Sequence, residues 1–141
     1  MQKSFLELSN LTFNDSLKAN AGSVILLNEV NYEVTNIINV SNGDDPEYGR
    51  LTSYDNSFID IKDSTIKAEV KASDGSEINI QDTTINPTEQ VDRVVNIKRN
   101  SVLKTDRTTL NGRIKFSTGA VWYDYKSTVN CTTDYSCISV R

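Results

Sequence analysis

The chain has 141 residues, a formal charge of −4 and no histidine. Without imidazole it lacks the commonest general base and the commonest metal ligand, and its two cysteines, Cys131 and Cys137, do not make a zinc site. The negative charge argues against nucleic acid as a partner, and no apolar run is long enough to insert in a membrane.

The length fits one domain, 1–141, and a hydrophobic share of 37% suits a thin core better than a thick globule. The first element in chain order is "SFLELSNLTF" from Ser4, and "SVILLNEVNY" follows from Ser23. "SFIDIKDSTI" begins at Ser57 and "SEINIQDTTI" at Ser76, both reading Ser-x-apolar-x-apolar-x-Asp-x-Thr-Ile. "SVLKTDRTTL" begins at Ser101 and "AVWYDYKSTV" at Ala120. The intervals between starts are 19, 34, 19, 25 and 19 residues, so the two long ones are 19 plus insertions of 15 and 6.

Each repeat carries the same alternation. Leu6, Ile25, Ile59, Ile78, Leu103 and Trp122 form one column, and Leu8, Leu27, Ile61, Ile80, Thr105 and Asp124 the next. Period-two alternation predicts a strand with one buried face. Phe13, Tyr32, Ile66, Ile85, Leu110 and Val129 supply a second inward column, and Leu17/Ala19, Val70/Ala72 and Ile114/Phe116 a third. Polar corners separate these columns, at Asn10, Glu29, Asp63 and Asp82 on one side and Asn14, Asn86, Asn111 and Asn130 on the other. Asparagine tolerates the left-handed backbone of a sharp corner.

Three short strands in 19 residues describe one coil of a single-stranded parallel β-helix, an all-β solenoid of about six coils. Left-handed hexapeptide helices repeat every 18 residues, so the right-handed form is expected. The first insertion predicts an exposed loop around 38–56, and the second lies within "NPTEQVDRVVNIKRN". Residues 120–141 are expected to cap the C-terminal end, with Trp122 over the core, while nothing before Ser4 resembles a cap.

The units at 57–66 and 76–85, with their weaker copies, resemble the β-helical parts of bacteriophage tailspikes and tail fibres. The resemblance covers about 125 residues and lies in the coil pattern. It implies a virion component, assembled in the host cytoplasm, that is trimeric and binds or cleaves surface polysaccharide. A small capsid-decorating protein fits the length equally well. Bacterial adhesins use similar coils, although "MQKSFLEL" lacks the apolar core of a secretory signal.

Glycoside cleavage needs two carboxylates across one bond. Asp60 has Lys62 two residues on and Asn79 one repeat above, Leu26 separates Glu7 from Asp60, and Asp106 is near Lys104. No catalytic residue is assigned, and no cofactor. Asp44-Asp45-Pro46-Glu47 reads as a polar turn rather than a metal loop, so no metal is assigned either. The two cysteines are expected as free thiols in preference to a disulfide.

One outward column departs from polarity: Phe5, Val24, Phe58, Glu77, Val102 and Val121. Five of these six are apolar, which marks an interface, with a homo-oligomer (a trimer favoured) or another virion protein as the partner. Tyr123 and Tyr125 are candidates for carbohydrate contact. The expected function is therefore a non-enzymatic virion structural protein. A polysaccharide-binding or polysaccharide-cleaving spike segment and a surface adhesin stand as alternatives.

Overall fold

The computed structural model describes residues 3–14, 16–33, 50–88, 93–131 and 137–140. Among these the chain is all-β, with no helix. The first repeat forms β1 (Phe5–Phe13) and β2 (Leu17–Ala19), and the second β3 (Val24–Glu33) and β4 (Arg50–Ser53). The third repeat divides into β5 (Phe58–Lys62), β6 (Thr65–Lys67) and β7 (Glu69–Ala72). Then come β8 (Glu77–Gln81), β9 (Thr84–Asn86) and β10 (Arg93–Ile97), followed by β11 (Val102–Asp106), β12 (Thr109–Asn111) and β13 (Arg113–Phe116). The last repeat forms β14 (Val121–Tyr125), β15 (Thr128–Asn130) and β16 (Ile138–Val140).

All recorded pairings are parallel, and each joins a strand to its counterpart in the neighbouring repeat. The strands make a ten-stranded and a six-stranded sheet. In the larger one, β3 pairs with β5 through its first half and with β6 through its second, so the sheet folds over along β3. Three faces result: a first built on β5, β8, β11 and β14, a second on β6, β9, β12 and β15, and a third of β2, β4, β7, β10, β13 and β16. Curled parallel sheets of this kind belong to the β-solenoid-like class.

The core is the set of inward columns. Ile59 is in register with Ile78 and Ile61 with Ile80, and all four are buried. Ile66 and Ile85 are in register on the second face, as are Val70 and Val95 on the third. Tyr32 is fully buried, stacks on Phe13 at 5.9 Å, and uses its hydroxyl to accept from the Leu17 N–H at 3.0 Å. Among the described residues the edge strand β1 pairs only with β3, which leaves Leu6 exposed and Leu8 only half-buried, short of the expected full burial.

The corners follow a stricter rule than composition suggests. Asn10, Glu29, Asp63, Asp82, Arg107 and Lys126 occupy equivalent positions between the first and second faces, and all have φ between 46° and 56°. A left-handed residue costs about 1–2 kcal/mol when it is not glycine. Register with the neighbouring repeats imposes the bend whatever the side chain. The other expected corner is not left-handed. None of Asn14, Asn86, Asn111 and Asn130 has a positive φ. Asn86, Asn111 and Asn130 end strands instead, and their amides form a ladder, Asn130 Nδ2 to Asn111 Oδ1 and Asn111 Nδ2 to Asn86 Oδ1, each 2.9 Å.

A two-residue turn joins the third face to the next repeat. Asp55 and Asn56 both have positive φ, and the Ser57 N–H closes the turn on the Tyr54 carbonyl at 3.1 Å. In the stacked turns this position holds Asn56, Gly75, Asn100 and Gly119, so that each asparagine side chain lies against a glycine. A Cβ on Gly75 would lie 2.7 Å from Asn56 Oδ1.

The predicted loop at 38–56 is too long at its C-terminal end. Residues 50–53 are β4, whose Leu51 is buried in register with Leu17 and Val70, so they belong to the third face. Residues 34–49, including the Asp44-Asp45-Pro46-Glu47 stretch, lie outside the described residues, as do 89–92 of the second insertion. At the C-terminal end, β14, β15 and β16 extend all three faces by another strand.

Candidate functional site

The outward side of the first face carries most of the residues singled out above. Its strands hold three outward columns because β5, β8, β11 and β14 pair without a register shift. The first column runs Phe5, Val24, Phe58, Glu77, Val102, Val121. Phe5 is 65% exposed and Val121 40%, whereas Val24, Phe58 and Val102 are half-covered by neighbours above and below. The one charged member, Glu77, pairs with Lys104 Nζ at 2.9 Å. The apolar stripe therefore continues past a neutralised carboxylate.

The second column is Glu7, Leu26, Asp60, Asn79, Lys104 and Tyr123, and the third Ser9, Asn28, Lys62, Gln81, Asp106 and Tyr125. Between them lies an open groove of about 330 Å³, with Phe58, Asp60, Asn79, Gln81 and Lys104 among its walls. Its charges are committed locally. Asp60 pairs with Lys62 at 3.7 Å. Asp106 lines the groove together with Lys104, and its ion pair is with Arg107 at 3.0 Å. Asp60 on β5 and Asp106 on β11 both line the groove, with β8 between them, and each carboxylate is held by its own cation. Among the described residues no cluster of three His, Cys, Asp or Glu side chains could hold a metal.

Tyr123 and Tyr125 lie on the outward side of β14, 60% and 55% exposed, and Lys126 Nζ sits 5.1 Å from the Tyr125 ring centre. Trp122, immediately before Tyr123, points the other way. It stacks on Phe116 at 5.6 Å and donates from Nε1 to Thr105 Oγ1 at 2.9 Å. Thr105 in turn donates to Asp124 Oδ1 at 2.6 Å. That chain explains why the isoleucine column ends in Thr105 and Asp124: the indole N–H and the threonine hydroxyl both need partners.

Cys131 and Cys137 are half-buried and not joined in a disulfide, and a hydrogen bond with Cys131 pushes the Cys137 thiol above its ordinary value.

Two arrangements were not evident in the sequence. In the second to fifth repeats the opening serine is a hydrogen-bond acceptor for the backbone of the repeat before it. On the third face, Glu69 is 1% exposed and held between Arg93 Nε at 2.9 Å and Arg50 Nε at 3.6 Å. The repeat of Ser was a signal for the first. The second had none, because the partners are 19 and 24 residues from Glu69 and follow insertions.

Comparison with protein-family models, with curated proteins and with solved structures returned no match.

Proposed function

We propose that this chain is a non-enzymatic structural component of a virion, a β-helical tail-fibre, tailspike or capsid-decorating protein that works by assembling with copies of itself. In this reading the parallel strands wind as a single right-handed β-helix of about six coils. Parallel strand crossovers are right-handed in nearly all proteins, and the 19-residue spacing differs from that of left-handed hexapeptide helices. The observation that carries the function is the apolar outward column, Phe5, Val24, Phe58, Val102 and Val121, aligned in one register.

Such a stripe is unfavourable in water and favourable between subunits. Burial stabilises by about 25 cal/mol per Å² of apolar surface, so a few hundred Å² contributes several kcal/mol before association entropy is subtracted. A closed ring, with a trimer favoured, covers the stripe on every copy equally. The self-neutralised charges of the groove fit a structural role better than catalysis.

Light scattering at micromolar concentration tests the reading. The expected mass is a multiple of 15.8 kDa that persists in high salt and falls in Phe58→Lys. A monomer in both proteins would overturn it.

A further inference from the structure

The third face has a different chemistry. Its outward column runs Lys18, Thr52, Lys71, Asn96, Lys115, Ser139. A lysine therefore stands on every second strand. With strands roughly 4.8 Å apart, successive ammonium groups are spaced by about 10 Å. Thr52 and Asn96, between them, are buried and uncharged. Arg93 and Arg113 flank the column in register with each other, and Lys98 follows at the end of β10.

Among the described residues the column lysines Lys18, Lys71 and Lys115 form no ion pair. Glu69 is taken by Arg50 and Arg93, and Asp74 by Arg99. The Tyr54 ring lies between Lys18 Nζ at 4.8 Å and Lys71 Nζ at 5.5 Å, which steadies two ammonium groups without neutralising them. Burial, and then Lys71, Lys115, Arg99 and Arg93, holds the Lys98 ammonium below its ordinary value. On a chain of net charge −4, positive charge has been gathered on one side.

We propose that the third face docks a linear polyanion of low charge density, a glycan bearing one carboxylate per disaccharide, laid along the lysine column. Charge spacing selects this occupant. Duplex nucleic acid carries one charge per about 1.7 Å, several times denser than the lysines, and would meet the chain's overall negative charge. A membrane surface needs apolar anchors beside the cations, and the positions alternating with lysine are Thr52, Asn96 and Ser139. The surface is separate from the apolar column of the first face, so it does not depend on the assembly proposed above.

The test is titration calorimetry of the full chain with a hyaluronan decasaccharide, which has a carboxylate on alternate sugars, and with neutral dextran of similar length. Saturable binding of hyaluronan that weakens with salt, and none of dextran, is expected. Lys71→Ala and Lys115→Ala should each weaken it by about two- to fivefold, the range for exposed charge pairs. The double change Lys71→Glu with Lys115→Glu should abolish it, with an unchanged circular dichroism spectrum. Phe58→Lys should leave the affinity unchanged, which separates this surface from the oligomer interface. No binding at low salt would overturn the proposal. So would full affinity in the double glutamate variant, or tighter binding of duplex DNA or of phosphatidylserine vesicles.

Discussion

The Ser57 backbone N–H donates to Ser76 Oγ at 3.2 Å, linking two repeats through a buried hydroxyl. The same bond recurs from Ser4 to Ser23, Ser23 to Ser57 and Ser76 to Ser101, each 3.1 Å. Each of these serines thus accepts from the first N–H of the preceding repeat, a donor that at Ser23 and Ser57 is shared with the turn carbonyl of Asn20 or Tyr54. The sixth repeat begins with Ala120, and the ladder stops there.

Ser76→Ala removes one of the two acceptors of the Ser57 N–H, which keeps the Tyr54 carbonyl. The expected loss is about 0.5–1.5 kcal/mol, that of one hydrogen bond, seen as a lower midpoint in thermal denaturation. Ser9→Ala, on the exposed side of β1, should leave the midpoint unchanged.

Ile78 is buried between Ile59 and Leu103 in the first inward column. Ile78→Val should cost about 0.5–1.5 kcal/mol. Ile78→Asp places an unpaired carboxylate in the stack and should abolish the folded state in far-UV circular dichroism. A soluble, folded Ile78→Asp protein would refute the register.

Glu69→Gln keeps volume but removes the charge that Arg50 and Arg93 surround. Breaking a buried ion pair by removing one partner costs about 3–5 kcal/mol, so the urea midpoint should fall sharply. A double replacement of Glu69 and Arg93 by apolar residues should recover part of that loss.

Acid should weaken the fold through the corner carboxylates. Hydrogen bonds from Arg107 hold Asp82 below its ordinary 3.8, and a hydrogen bond from Ser73, followed by Arg99, does the same for Asp74. Both groups bind protons less readily when folded than when unfolded. Their stabilisation is complete above pH 3.8 and is lost as pH falls through the lowered folded values. Arg107→Gln should therefore melt earlier than the parent at neutral pH, with the difference closing in strong acid. Because both carboxylates are at the surface, the difference should also shrink in salt.

Much of the architecture was legible because burial leaves a periodic trace. Ile59, Ile61, Ile66 and Val70 recur as Ile78, Ile80, Ile85 and Val95 because each must stack on its counterpart in a thin core. The apolar outward column was legible for the same reason, since Phe58 and Val102 break an otherwise polar alternation. The strand at 50–53 was missed because its single inward Leu51 sits among polar residues beside an insertion. The left-handed corner at Arg107 and Lys126 was missed because no propensity points to it.

The amino-acid sequence alone determined the repeat, its 19-residue period and the residues that face the core, because these follow from local alternation and copying. Only the tertiary structure decided what meets across repeats. It placed Lys18, Lys71 and Lys115 in one column despite the insertions between them, set Glu69 between two arginines, and put the same bend on Asn10 and Arg107. Those relationships depend on strand register, which is fixed by hydrogen bonds between residues far apart in the chain.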